Sequence, residues 1–139
     1  ESCSGGLIAK RITDIPGSSG YFLLGAVTYS NDSKERVLGV PAGLIEKHGA
    51  VSSEVALAMA EGVRRVSGSD IAIATTGIAG PDGGTPEKPV GTVFIAIDSP
   101  DGGITLLHHF EGNRNTIREA TAEAALKLLL TRFSSRPHS

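Results

Sequence analysis

Short apolar runs that open straight into glycine- and hydroxyl-rich breaks limit what this chain can fold into more than any other feature. Tyr21-Phe22-Leu23-Leu24-Gly25-Ala26-Val27 is almost continuously apolar yet too short for a typical helix, the pattern of a strand covered on both faces. It ends at the polar turn Thr28-Tyr29-Ser30-Asn31-Asp32. Ile71-Ala72-Ile73-Ala74-Thr75 is a second such run, and it opens into Thr76-Gly77-Ile78-Ala79-Gly80-Pro81-Asp82-Gly83-Gly84, too rich in glycine for a mere connector. Residues 90–97 and 104–110 predict two further strands. The link between them, Ser99-Pro100-Asp101-Gly102-Gly103, is short enough to require an antiparallel hairpin.

Helical spacing fills the intervals. Residues 7–12 predict a short helix stopped by Pro16-Gly17-Ser18-Ser19-Gly20, and a second short helix carries Lys34 up to the break at Gly39-Val40-Pro41. Residues 42–48 predict another, closed by Gly49. Ser52 or Ser53 caps a longer helix in which Val55, Met59, Val63 and Val66 share one face, ended by Gly68. Asn113 or Asn115 caps the last, with Ile117, Ala120, Ala124 and Leu128 at steps of three and four. Helices separate most of the strands, but one pair is a hairpin. The expectation is therefore a three-layer α/β/α domain with a mixed, mostly parallel sheet containing one antiparallel hairpin. At 139 residues, 40% hydrophobic and 20% charged, the chain suits a single core. Residues 1–133 are expected to form it and residues 134–139 a disordered tail.

Several function classes are disfavoured. A formal charge of −2 offers no basic excess to displace the counterions of a nucleic acid. One cysteine cannot make an internal disulfide and suits a reducing compartment. No apolar run has transmembrane length and no signal peptide is visible, so no membrane partner and a cytoplasmic location are expected. His108 and His109 alternate on a strand and face opposite sides, while His48 and His138 stand alone, so no metal set is expected. Residues 76–84 lack the Gly-Lys-Ser/Thr that would follow in an ATP-binding loop.

Ligands of open α/β sheets bind beyond the strand carboxyl ends, so the breaks are expected to converge on one crevice. Glu1-Ser2-Cys3-Ser4-Gly5-Gly6 has the look of a helix mouth. Ser4 is able to cap free amides, Gly5 and Gly6 to let a ligand approach, and unpaired N–H groups to favour developing negative charge. A serine there is either a nucleophile with oxyanion donors beside it or ordinary capping and turn chemistry. Thr76, Gly77 and Gly80 belong to a loop able to offer backbone N–H groups to an anion. Arg114 and Arg118 stand four apart near the start of the last helix, as phosphate ligands or as solvated arginines.

Six ordered motifs resemble one family. They are Glu1-Ser2-Cys3-Ser4-Gly5-Gly6, Ile12-Thr13-Asp14-Ile15-Pro16-Gly17-Ser18-Ser19, Tyr29-Ser30-Asn31 with Lys34, His48-Gly49-Ala50-Val51-Ser52, Thr76-Gly77-Ile78-Ala79-Gly80-Pro81 and Lys88-Pro89-Val90-Gly91-Thr92-Val93. Together they resemble the CinA C-terminal domain, the nicotinamide-nucleotide amidohydrolases or nicotinamide mononucleotide deamidases. Ser4 stands where that family usually has threonine, and the helix and strand that normally precede the first motif are absent here. The resemblance implies hydrolysis of the carboxamide of nicotinamide mononucleotide to nicotinate mononucleotide and ammonia. It implies a small-molecule substrate, no cofactor or metal, and a homodimer, and it leaves room for an N-terminal partner domain upstream of Glu1. By position Ser2 corresponds to the nucleophile and Lys34 to its base. Tyr29 is expected at the pyridine ring or simply at the end of its strand, Asn31, Gly5, Gly6, Thr76, Gly77 and Gly80 among the substrate-binding residues, and Arg118 on the 5′-phosphate. The alternative is a non-catalytic nucleotide-binding or regulatory module of a larger protein.

Overall fold

The computed structural model describes residues 1–133. Five α-helices and three strands run in the order α1 (Leu7–Thr13), α2 (Asn31–Leu38), α3 (Ala42–His48), α4 (Ser53–Ser67), β1 (Ala72–Gly77), β2 (Thr92–Ser99), β3 (Gly102–His109) and α5 (Arg114–Phe133), with a 3-10 turn at Ser18–Gly20. Among the described residues no helix is long and apolar enough to cross a membrane.

The strands form one sheet in the order β1-β2-β3, antiparallel throughout, with Thr75 opposite Ile95 and Ile95 opposite Leu106. Side chains alternate across β2. Val93 and Ile95 enter a core with Ile8 of α1 and Ile117, Ala122 and Ala125 of α5, while Ala96 enters a second core with Leu38, Ile45, Val55 and Met59 of α2, α3 and α4. Helices thus cover both faces of the sheet, and the three layers are as expected. The hairpin and the short helix carrying Lys34 are also where the spacing put them. Ser52 caps α4, its Oγ accepting from Val55 N at 3.2 Å, and Asn113 caps α5, its Oδ1 accepting from Thr116 N at 2.9 Å. The inner face of α5 is displaced from the expected one: Ile117, Thr121, Ala122 and Ala125 are buried, while Ala120 and Ala124 are half-buried. The tail expected over residues 134–139 lies outside the described residues.

The sheet itself is a correction. It was expected to be mostly parallel because residues 21–27 read as a buried strand, but they form an extended segment outside the ladder. Tyr21 is 61% and Leu23 60% exposed, so the run is not covered on both faces. Its one strand-like contact is with the start of the chain. Glu1 N donates to Ala26 O at 2.8 Å and Thr28 N to Glu1 O at 2.9 Å, the parallel pattern that brackets Val27. Beside it runs a groove of about 640 Å³ between residues 21–26, residues 71–74 at the outer edge of β1, Met59 and Val63 of α4, and Leu126 and Leu129 of α5. The apolar character of residues 21–27 belongs to the wall of this groove.

One close contact fixes α2, and with it Lys34, against α4. Gly62 is buried, and a Cβ there would overlap the Leu38 carbonyl oxygen, which also accepts from Arg65 Nη2 at 3.0 Å. Gly62→Ala gains helix propensity of about 1 kcal/mol. It loses more, because backbone rather than a flexible side chain must move, an overpacking cost of about 1–3 kcal/mol or above. A net loss of stability is expected in urea unfolding, and an unchanged or higher midpoint would contradict this packing.

Candidate active site

The turn that carries Ser2 is organised by its neighbour Glu1. One carboxylate oxygen accepts from Ser4 Oγ (2.7 Å), Gly6 N (3.1 Å) and Ile8 N (3.0 Å), and the other from Ala9 N (2.9 Å). A carboxylate on these amides complements the positive end of α1 and ties the turn to the helix. Ser4 Oγ lies 2.8 Å from Thr75 Oγ1 in the interior, extending the tie to β1. This changes the expected helix mouth. Ser4 donates to Glu1 instead of capping amides, and the first amides of α1 are already taken. Gly5 N donates to Ser2 O at 3.0 Å. Gly5 (φ +60°) and Gly6 (φ +101°) shape the turn in a backbone region that side chains disfavour, and neither lines the pocket. The role of Glu1 has a signal in the sequence, an acidic residue just ahead of a helix start.

Lys34 comes to the same place from the first turns of α2, whose cap Ser30 Oγ accepts from Ser33 N at 3.0 Å. It is a lysine only 1% exposed. Its Nζ lies 3.0 Å from Ser2 Oγ and donates to the carbonyl oxygens of Thr28 (2.7 Å) and Tyr29 (3.2 Å). Every one of these partners is uncharged. Burial lowers the Lys34 pKa from its ordinary value, and the nearby Cys3 only partly opposes this. The Cys3 thiol is itself pushed up to about 11 by burial, which makes it a packed, protonated group.

Ser2 and Lys34 face a pocket of about 170 Å³. Of the residues expected there, Ser2, Lys34, Tyr29, Asn31, Thr76 and Gly77 line it together. Gly80 does not: it sits at a φ of +78° and offers its carbonyl to Arg114 Nη1 at 2.7 Å. Arg118 does not line it either. Its guanidinium lies against Gly5, where any Cβ would collide with it, and its Nε is buried without a hydrogen-bond partner. Ala50 and Val51 complete a wall that their residue types gave no reason to single out. That wall is held by Thr76 Oγ1, which donates to Ala50 O at 2.8 Å, and by Lys88 Nζ, which donates to the carbonyls of His48 and Val51. Arg114 Nη2 donates to the Tyr29 hydroxyl at 2.8 Å, a link across 85 positions that spacing alone could not reveal.

Chemically, the arrangement offers a hydroxyl within reach of an amine whose charged form is disfavoured, beside a small hollow. Its effect on stability has a definite sign. Between the lowered pKa of Lys34 and the ordinary lysine range, the unfolded chain binds more protons than the folded one, so stability rises with pH across that window. Lys34→Met is expected to remove this part of the rise in urea unfolding measured at a series of pH values. Equal slopes in the two proteins would contradict the preference for a neutral amine.

The sequence matches the family described as CinA C-terminal domain over residues 1–133. A CinA-like protein of Geobacter metallireducens is 59% identical over 135 residues, which cover 97% of this chain and 33% of that protein. One from Anaeromyxobacter dehalogenans is 53% identical, covering 93% and 32%. The chain thus spans about a third of the length of these relatives. Among solved structures, a competence/damage-inducible protein from Agrobacterium tumefaciens superposes with a TM-score of 0.91 at 44% identity, covering 94% of this chain and 80% of that one. A competence damage-inducible protein from Klebsiella pneumoniae gives 0.93 at 32% identity, covering 98% and 84%.

Proposed function

The chain belongs to the CinA C-terminal domain family, and from that premise and the Ser2–Lys34 contact we propose that it is an amidohydrolase. Its substrate on this reading is nicotinamide mononucleotide, its products nicotinate mononucleotide and ammonia. The observation that carries the proposal is the set of partners around Lys34 Nζ. A neutral amine has two hydrogens and one lone pair. With its proton, Lys34 donates to Ser2 Oγ as well as to the Thr28 and Tyr29 carbonyl oxygens; once it is neutral, the two carbonyls hold its hydrogens and the lone pair is left for the Ser2 hydroxyl.

In the proposed reaction Ser2 Oγ attacks the carboxamide carbon while Lys34 Nζ takes the hydroxyl proton. The oxyanion so formed needs fixed donors. The amides of Gly5, Gly6, Ile8 and Ala9 are spent inside the protein and do not supply them. Lys34, now an ammonium, returns its proton to the departing nitrogen, and the C–N bond breaks to give ammonia and a Ser2 ester. Water, deprotonated by the neutral Lys34, then hydrolyses the ester and restores Ser2. The sequence is closed in protons and needs no further reactant. Tyr29 and Asn31 would meet the pyridine ring, and Thr76 and Gly77 would line the pocket beside it.

The test is release of ammonia and nicotinate mononucleotide from nicotinamide mononucleotide. Ser2→Ala is expected to abolish turnover. Lys34→Arg, which puts a permanent cation there and cannot act as a base near neutral pH, is expected to lose about 10²–10⁴-fold in kcat/KM. In the wild-type protein kcat/KM should rise with pH and level off above the lowered pKa of Lys34. Full activity in Ser2→Ala, or a wild-type profile retained in Lys34→Arg, would overturn the mechanism. Binding of the nucleotide without hydrolysis would instead favour a regulatory module, the reading that the greater length of the relatives keeps in view.

A further inference from the structure

Resting on the amidohydrolase reading, we propose that Arg114 is a specificity-determining residue: it reads a phosphate monoester held at the mouth of the pocket, outside the hollow where the amide reacts. Size is the first observation. The pocket of about 170 Å³ falls below the ~300–1,000 Å³ usual for a whole ligand. It suits an aromatic ring with its carboxamide, so a ribose and phosphate attached to that ring extend outward.

Charge is the second. Lys34 is the one side chain lining the pocket that can carry positive charge, and its hydrogens are committed to the Thr28 and Tyr29 carbonyls. The first amides of α1, an otherwise suitable anion site, are occupied by the carboxylate of Glu1. An anionic group on the substrate therefore has to be met by a cation at the rim.

Arg114, the first residue of α5, stands there. Its two terminal nitrogens reach opposite walls, Nη2 donating to the hydroxyl of Tyr29 and Nη1 to the carbonyl of Gly80, next to the pocket residue Ala79. Both partners are neutral, and none of the ion pairs among the described residues involves Arg114. Arg114 is also exposed, and its planar fork has N–H groups beyond the two used on Tyr29 and Gly80. Arg118, one turn further along α5, is instead folded against Gly5 with its Nε buried.

The experiment compares kcat/KM for nicotinamide mononucleotide and for nicotinamide riboside, the same molecule without its phosphate, in wild type, Arg114→Gln and Arg118→Gln. In Arg114→Gln the preference for the phosphorylated substrate is expected to fall about tenfold or more, through KM, as for loss of a hydrogen bond to a charged group. Inhibition by inorganic phosphate should weaken in parallel. Equal losses on both substrates would overturn the proposal by making Arg114 only a strut between the walls. A preference lost in Arg118→Gln and kept in Arg114→Gln would overturn it as well. If wild type releases ammonia from neither compound, the amidohydrolase reading fails, and calorimetry decides this one separately. Selective weakening of nucleotide binding in Arg114→Gln would sustain it, and absence of nucleotide binding to wild type would end it.

Discussion

The rest of the structure is arranged around an amine withdrawn from water. Lys34 is 1% exposed and is met by two carbonyl oxygens and a hydroxyl, with no carboxylate among its partners. Buried charges are normally paired, because an unpaired ammonium loses hydration that neutral dipoles only partly replace. Here all three partners are uncharged dipoles, and burial without a counter-ion lowers the Lys34 pKa. Each wall of the site has a part in this. The cap at Ser30 starts α2 so that Lys34 points inward, and Gly62 lets α2 approach α4 closely enough to shut water out.

Glu1 supplies the opposing rigidity. A serine in a glycine-containing turn is mobile unless the turn is anchored, and four hydrogen bonds to one carboxylate anchor it. Charge-assisted bonds to a helix terminus are individually worth roughly 1.5–3 kcal/mol at most in exchange with water. Their value here is geometric. They fix Ser2 relative to α1, and through Ser4 and Thr75 relative to β1, while α2 fixes Lys34 from the other side. Stabilising α1 in this way also removes its N-terminus as an anion site, so one interaction decides both where the hydroxyl stands and where negative charge on a ligand cannot go.

Much of this was legible in the sequence, and the failures have physical causes. Helix starts and the hairpin were readable because capping and two-strand turns are local chemistry, as at Ser52, Asn113 and the link before β3. Residues 21–27 were misread as a sheet strand because apolar composition reports burial against something, not pairing with a strand, and their neighbour is a groove. The phase of α5 slipped since Ala and Thr pack as readily as Leu when the sheet is close; Thr121 is fully buried and returns its hydroxyl to Ile117 O at 2.7 Å. At the site, Ser2, Lys34, Tyr29, Asn31, Thr76 and Gly77 were placed together by a resemblance that spans the chain. Gly5, Gly6, Gly80 and Arg118 do not line the pocket. A motif records which residues matter but not which of them touch the hollow.

On the proposed reading, a phosphate on the substrate creates an electrostatic problem for a lysine that has to act as a base. Two unit charges about 10 Å apart at an effective dielectric constant near 20 interact by about 1.7 kcal/mol. An unshielded phosphate at such a distance would therefore favour the ammonium form of Lys34 by about one pKa unit for each negative charge. Arginine at the rim counters this, because a permanent cation paired with the phosphate cancels most of its field toward the interior. Lysine in the same position would be a weaker choice, since its own proton is labile and its single nitrogen could not hold Tyr29 and Gly80 with two separate arms. The separation of roles then follows from the chemistry. On the proposed reading, the group that takes the proton lies buried with a lowered pKa, and the group that meets the charge lies exposed and permanently positive. Tyr29 links the two, giving its carbonyl to Lys34 and its hydroxyl to Arg114.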